Sequence, residues 1–145
     1  TDQAAIMFPL SPDKEVPLIT MGSENEIVNI WQWRAIWEKS LNTKSRSSDR
    51  NLKMSAFGND RPSSVEDLTA AGYSTLTTQE EQDVLGRGTW RDKTWRVVFK
   101  RSLVNSDNAD IQFKYPIAMA IAVWNGGNGE RNGQKGISNW ILLRL

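Results

Sequence analysis

The segment Trp95-Arg96-Val97-Val98-Phe99-Lys100-Arg101 alternates with a two-residue period that directs Trp95, Val97 and Phe99 to one side, the signature of a strand packed on that face. Ile27 to Trp33 has the same period but carries apolar residues on both sides: Ile27, Trp31 and Trp33 on one, Val28 and Ile30 on the other. A buried strand is expected there. Ile111 to Trp124 reads as a long extended segment interrupted by Pro116, which belongs at an edge or bulge. Ile137 to Leu145 reads as a closing strand. Strands joined by loops, with no strand–helix alternation, predict an all-β fold with short helical turns, arranged as an antiparallel β-sandwich or barrel. The helical turns are expected at Val65 to Gly72 and at Thr77 to Leu85, the second with Thr78 as N-cap and Glu81 as its capping-box partner. Gly86-Arg87-Gly88 is read as a break, Thr43 to Pro62 as a long polar loop, Asn105 to Asp110 as a turn and Asn125 to Gly133 as a glycine-rich loop.

A chain of 145 residues is expected to form one domain, 1–145, able to bury a core without staples. With 0 Cys and 0 His, disulfides, thiolate or imidazole metal sites, cysteine nucleophiles and histidine general bases are all excluded. Lys+Arg of 18 against Asp+Glu of 17 gives a net charge of +1, which offers no basic field for nucleic acid. The longest apolar stretch, Ile117 to Trp124, is far short of the ~20 residues of a membrane helix, so no membrane span is expected. The 7 Trp point to a β-rich core, a ligand surface, or both.

No hydrolytic or phosphate site stands out. The glycine-rich loop lacks the P-loop Gly-Lys-Ser/Thr ending, and a strand rather than a helix is expected after it. Glu66-Asp67 and Glu80, Glu81 and Asp83 read as solvated faces. Asp107, Asn108 and Asp110 lack the glycine and terminal glutamate of an EF-hand. The sulfurs are Met7, Met21, Met54 and Met119, of which Met7 and Met119 read as packing. Met21 sits in a polar turn, Thr20-Met21-Gly22-Ser23, where a thioether is either packing or a metal ligand. Ala118, Ala120 and Ala122 form a shallow face opposite Ile117, Met119, Ile121 and Val123. That face has room for a flat group, or for the close approach of another strand, a loop or a partner protein. Lys114 shares its parity, and an amine ligates only when neutral.

Four ordered segments carry a family resemblance. They are Val28-Asn29-Ile30-Trp31-Gln32-Trp33-Arg34-Ala35; Val65-Glu66-Asp67-Leu68 through Gln79-Glu80-Glu81-Gln82-Asp83-Val84; Trp95 to Arg101; and Ala122-Val123-Trp124-Asn125-Gly126 through Glu130-Arg131-Asn132-Gly133 to Ile137-Ser138-Asn139-Trp140. Together they resemble the haem-b-binding gamma subunits of the ethylbenzene dehydrogenase, chlorate reductase, selenate reductase and dimethylsulfide dehydrogenase group. The resemblance implies a non-catalytic electron-transfer subunit of a periplasmic molybdenum oxidoreductase. It would relay electrons between an iron–sulfur beta subunit, beside a molybdenum-containing alpha subunit, and an external carrier such as a soluble c-type cytochrome.

The resemblance also implies one haem b with axial Met and Lys ligands. The Met falls on Met21, in a Met-Gly turn before the Val-Asn-Ile-Trp strand. The Lys falls on Lys114, with Lys135 and Lys100 as competitors. Arg34, Arg61 and Arg131 are the candidate partners of the haem propionates. Relatives in the group usually carry further N-terminal strands, so the chain is expected to be the C-terminal part of a longer subunit. The alternative of a different class is a carbohydrate-binding β-sandwich module, which would display exposed tryptophan platforms.

Overall fold

The computed structural model describes residues 1–11, 15–46, 63–114 and 116–144. Among the described residues, nine strands, one α-helix and one short 3-10 turn, Gly126–Asn128, follow in chain order: β1 Gln3–Pro9, β2 Val28–Arg34, α1 Ala35–Arg46, β3 Val65–Ala70, β4 Thr77–Thr78, β5 Leu85–Arg91, β6 Thr94–Lys100, β7 Ile117–Trp124, β8 Gly136–Ile137 and β9 Ile141–Leu143. Seven strands form one sheet in the order β4-β3-β2-β1-β7-β8, with β9 also paired to β7. Every pairing is antiparallel. The hairpin β5–β6 forms the second layer, turning through Asp92 and Lys93 at φ 53 and 59, the left-handed pair that suits a twisted two-residue hairpin. The all-β sandwich is thus the architecture.

The two-residue period divides the central strands between two faces. Ala4, Ile6, Phe8, Trp31, Trp33, Val65, Ile117 and Met119 face the hairpin and pack against Trp95, Val97, Phe99 and Phe113. The rings meet edge to face: Phe8 and Trp31 at 4.9 Å between centroids, Trp33 and Trp95 at 4.8 Å. The inward side of β6 is the one its alternation indicates. Gly86 and Gly88 lie within β5, not at a break. A Cβ on Gly88 would stand 2.3 Å from Trp33 Cζ2, so the missing side chain lets the indole lie against the hairpin backbone.

The helical expectations need correction. Val65–Ala70 is an interior strand, and Thr77–Thr78 is a short edge strand followed by irregular chain. Thr78 does not cap a helix; its hydroxyl donates to Glu66 Oε1 at 2.9 Å. Glu66 and Asp67 are buried rather than solvated. Pairing of β3 with β2 on one side and β4 on the other overrides the local pattern. The α-helix among the described residues is α1, which begins directly after β2, with Glu38 in its first turn. Glu38 is buried and accepts from Trp33 Nε1 at 3.0 Å, from Ser64 Oγ and from the Gly88 amide, so it joins the helix to both layers. The expected closing strand is divided into β8 and β9.

Candidate functional site: a cleft on the open face of the sheet

The opposite face of the large sheet is not covered by the hairpin. Gln3, Ala5 and Met7 of β1, Ile30, Gln32 and Arg34 of β2, and Ala120, Ala122 and Trp124 of β7 line a cleft of about 680 Å³ there. That volume lies within the range of sites for cofactor-sized ligands. The register places Ala5 opposite Ala122, and Met7 opposite Ala120. Two of the three alanines of the shallow β7 face therefore contribute to the floor, and β1 adds a third small residue beside them. The floor is low because methyl groups stand where neighbouring positions carry long side chains.

Three loops make the walls. Ile19, Thr20 and Met21 come from the segment before β2, Tyr73, Ser74 and Leu76 from the β3–β4 turn, and Arg131, Asn132, Gly133 and Lys135 from the glycine-rich loop. Met21, Ser74 and Asn132 each hold a left-handed backbone, at φ 76, 66 and 53. Among the described residues, the other non-glycine residues with positive φ are the hairpin pair Asp92 and Lys93. Left-handed backbone at non-glycine residues is energetically unfavourable and collects at sites where side chains must be aimed. Here one such residue stands on each wall.

The Met21 turn is tied down on several sides. The Gly22 amide donates to Leu18 O at 2.8 Å, and the Gly72 amide donates to Met21 O at 2.9 Å. Gly22 itself has φ +77, and a Cβ there would lie 2.1 Å from Glu26 O, so the Met-Gly order follows from sterics. Trp140 Nε1 donates to Pro17 O at 2.8 Å and fastens the same segment to the end of the chain. On the far wall Trp124 Nε1 donates to Asn132 O at 3.1 Å. The Lys135 ammonium lies over the Trp124 ring, 5.2 Å from its centroid, and donates to Asn132 O at 3.4 Å. Burial pushes the Lys135 pKa below that of a free lysine, which brings the neutral amine within easier reach.

The structure thus brings Met21 and Lys135 to one cleft. Lys114 lies outside it, exposed, in the chain that precedes β7. Lys100 ends β6 in the other layer. Arg34 and Arg131 line the cleft, whereas Arg61 falls outside the described residues. Ser74 and Asn132 escaped the sequence reading. For Asn132 a signal was present, since Asn-Gly is the dipeptide most suited to a left-handed turn.

The fold is a β-sandwich with a cofactor-sized cleft whose loop walls include the thioether of Met21 and the amine of Lys135. Residues 1–136 match the family model described as ethylbenzene dehydrogenase, and the chain belongs to that family. It is 31% identical over 142 residues to a protein described as a respiratory nitrate reductase haem subunit from Haloferax mediterranei, covering 96% of this chain and 41% of that one. It is 31% identical over 147 residues to the chlorate reductase gamma subunit of Ideonella dechloratans, covering 99% and 50%. It is 30% identical over 152 residues to the dimethylsulfide dehydrogenase gamma subunit of Rhodovulum sulfidophilum, covering 99% and 48%. The chain spans about half or less of the length of these relatives.

Proposed function

We propose that this chain forms the haem-holding part of a gamma subunit that transfers electrons within a periplasmic molybdenum oxidoreductase. Its neighbours would be an iron–sulfur beta subunit, a molybdenum-containing alpha subunit and an external carrier such as a soluble c-type cytochrome. The observation that carries this reading is the convergence of Met21 and Lys135 on one cleft over an alanine floor, in a member of this family.

The residues present fit a haem b. Ala5, Ala120 and Ala122 leave room for a flat macrocycle, and Met7 and Ile30 add apolar contact. Met21 offers a thioether and Lys135 an amine whose proton burial already disfavours. Met21 and Lys135 are the residues that would hold the iron, with Lys135 in the role that the family resemblance gives to Lys114. Arg34 and Arg131, which line the cleft, would offset the propionate charges. Held by such a pair, the haem would supply electron transfer rather than oxygen or substrate binding. The chain would then hold and tune the cofactor, and catalysis would belong to a partner.

The sugar-binding alternative finds less support. Trp31, Trp33 and Trp124 are buried, Trp37, Trp95 and Trp140 are half-buried, and Trp90 alone is exposed, at 54%. Its ring is tilted 53° from that of Trp95, so the two do not form a flat platform.

The test is an absorption spectrum of the purified protein supplied with haem, oxidised and then dithionite-reduced, with a pyridine haemochrome assay. Sharp reduced α and β bands from extractable haem b are expected. A featureless visible region in folded, haem-supplied protein would overturn the assignment.

A further inference from the structure

On the sheet face opposite the cleft, one carboxylate oxygen from each of Asp67, Asp83 and Asp110 lies within 4.8 Å of the other two. The three residues come from β3, from the chain before β5 and from the loop after β6. Asp67 is 1% exposed and Asp110 3% exposed. Asp67 Oδ1 accepts from Asn29 Nδ2 at 2.6 Å and from Gln79 Nε2 at 3.0 Å, but its Oδ2 has no hydrogen-bond partner among the described residues. Asp110 repeats the pattern: Oδ2 is held by Asn105 Nδ2 and by the Arg101 guanidinium at 3.1 Å, while Oδ1 is unpartnered. The buried Oε1 of Gln79, on the same carboxamide that donates to Asp67, is unpartnered as well.

Buried acceptors without donors are costly, and facing carboxylates repel. The three carboxyl groups are gathered around the one guanidinium of Arg101. All the available donor atoms are oxygens, the set preferred by hard divalent cations and not by zinc or copper. Asn105 Nδ2 reaches both Asp83 Oδ2, at 2.9 Å, and Asp110 Oδ2, and so holds the exposed member against a buried one.

We propose that Asp67, Asp83 and Asp110 form a structural site for a divalent cation of the calcium class, with Gln79 Oε1 as a further donor. Such an ion would clip the chain before β5 and the loop after β6 onto β3. This site is independent of the haem reading, because it lies on the other face of the sheet.

The test uses the full chain, treated with a chelator, dialysed and titrated with calcium chloride while thermal unfolding is followed. Saturating calcium should raise the melting temperature by about 5–10 °C, and magnesium should raise it less. Terbium should bind in its place and luminesce on excitation of the indoles, since Trp31 pairs with Asp67 across the β2–β3 ladder. Asp83→Asn, at the exposed position, should weaken calcium binding by at least about tenfold and leave the haem spectrum unchanged. Isothermal titration of the unsubstituted chain keeps the test decisive should the variant fold poorly. No calcium response up to about 10 mM, beyond the weakest extracellular calcium modules, would overturn the proposal. Equal responses of the unsubstituted chain and Asp83→Asn would do the same.

Discussion

Ala5 on β1 stands opposite Ala122 on β7, and the same Ala5 faces Gln32 of β2 on its other side. The lowest part of the cleft floor therefore lies where β1 meets β7. A bulky residue there would rise into the cleft and crowd the apolar cluster of Ala5, Met7, Ile30, Ala120 and Trp124 that forms its floor. Ala122→Phe should fold, at a cost of about 1–3 kcal/mol from crowding its neighbours, and should fail to take up haem. Circular dichroism with haem titration separates the two effects. Haem uptake matching the parent would place the cofactor elsewhere.

Met21 and Lys135 should behave as a pair. Met21→Ala is expected to convert a low-spin six-coordinate spectrum to a high-spin one, and Lys135→Ala to do the same. Lys114→Ala should leave the spectrum unchanged, since Lys114 is exposed and outside the cleft. A spectrum altered by Lys114→Ala and untouched by Lys135→Ala would reverse the assignment of the second ligand.

The difference between those two lysines shows where the sequence could be read and where it could not. β2, β6 and β7 were legible because each alternates with period two, and the Met21 turn because a hydrophobe stood in a polar Met-Gly segment. Lys114 matched the parity of the alanine face only if the strand ran through Pro116, but β7 begins at Ile117. Lys135 reaches the cleft by the fold of a loop, which no periodicity encodes. Helix α1 was missed because Arg34 precedes it with no capping residue to mark its start. Glu66 and Asp67 looked like a solvated turn because the groups that satisfy them, Asn29, Thr78 and Gln79, lie elsewhere in the chain. The Asp67, Asp83 and Asp110 cluster was invisible for the same reason, as its members come from three separate segments.

Glu38 provides a stability prediction that does not involve the cleft. The residue is 4% exposed, and its carboxylate takes hydrogen bonds from Trp33 Nε1, Ser64 Oγ and the Gly88 amide. Glu38→Ala strands those donors in a buried space and should cost about 2–4 kcal/mol in denaturant melts. Arg87, whose side chain is 63% exposed and 3.7 Å from Glu38, should contribute far less. A loss from Arg87→Ala equal to that from Glu38→Ala would mean that the ion pair, not the hydrogen bonds, holds the helix.

Burial raises the Asp67 pKa to about 8, with the neighbouring Asp110 charge acting in the same direction and the Asn29 hydrogen bond opposing it. The sign is the reverse of the common carboxylate case. In chain freed of divalent cations, folded and unfolded forms are both protonated at Asp67 below about pH 4, and the group then carries no penalty. As pH rises from there, the unfolded chain releases the proton while the folded chain retains it, so Asp67 lowers stability progressively until about pH 8 and no further above it. Asp67→Asn cannot release a proton and should flatten this fall between pH 4 and 8, which thermal melts in chelator across that range would read. A parent chain whose stability is level over the range, or falls equally in Asp67→Asn, would show that Asp67 ionises freely in the fold.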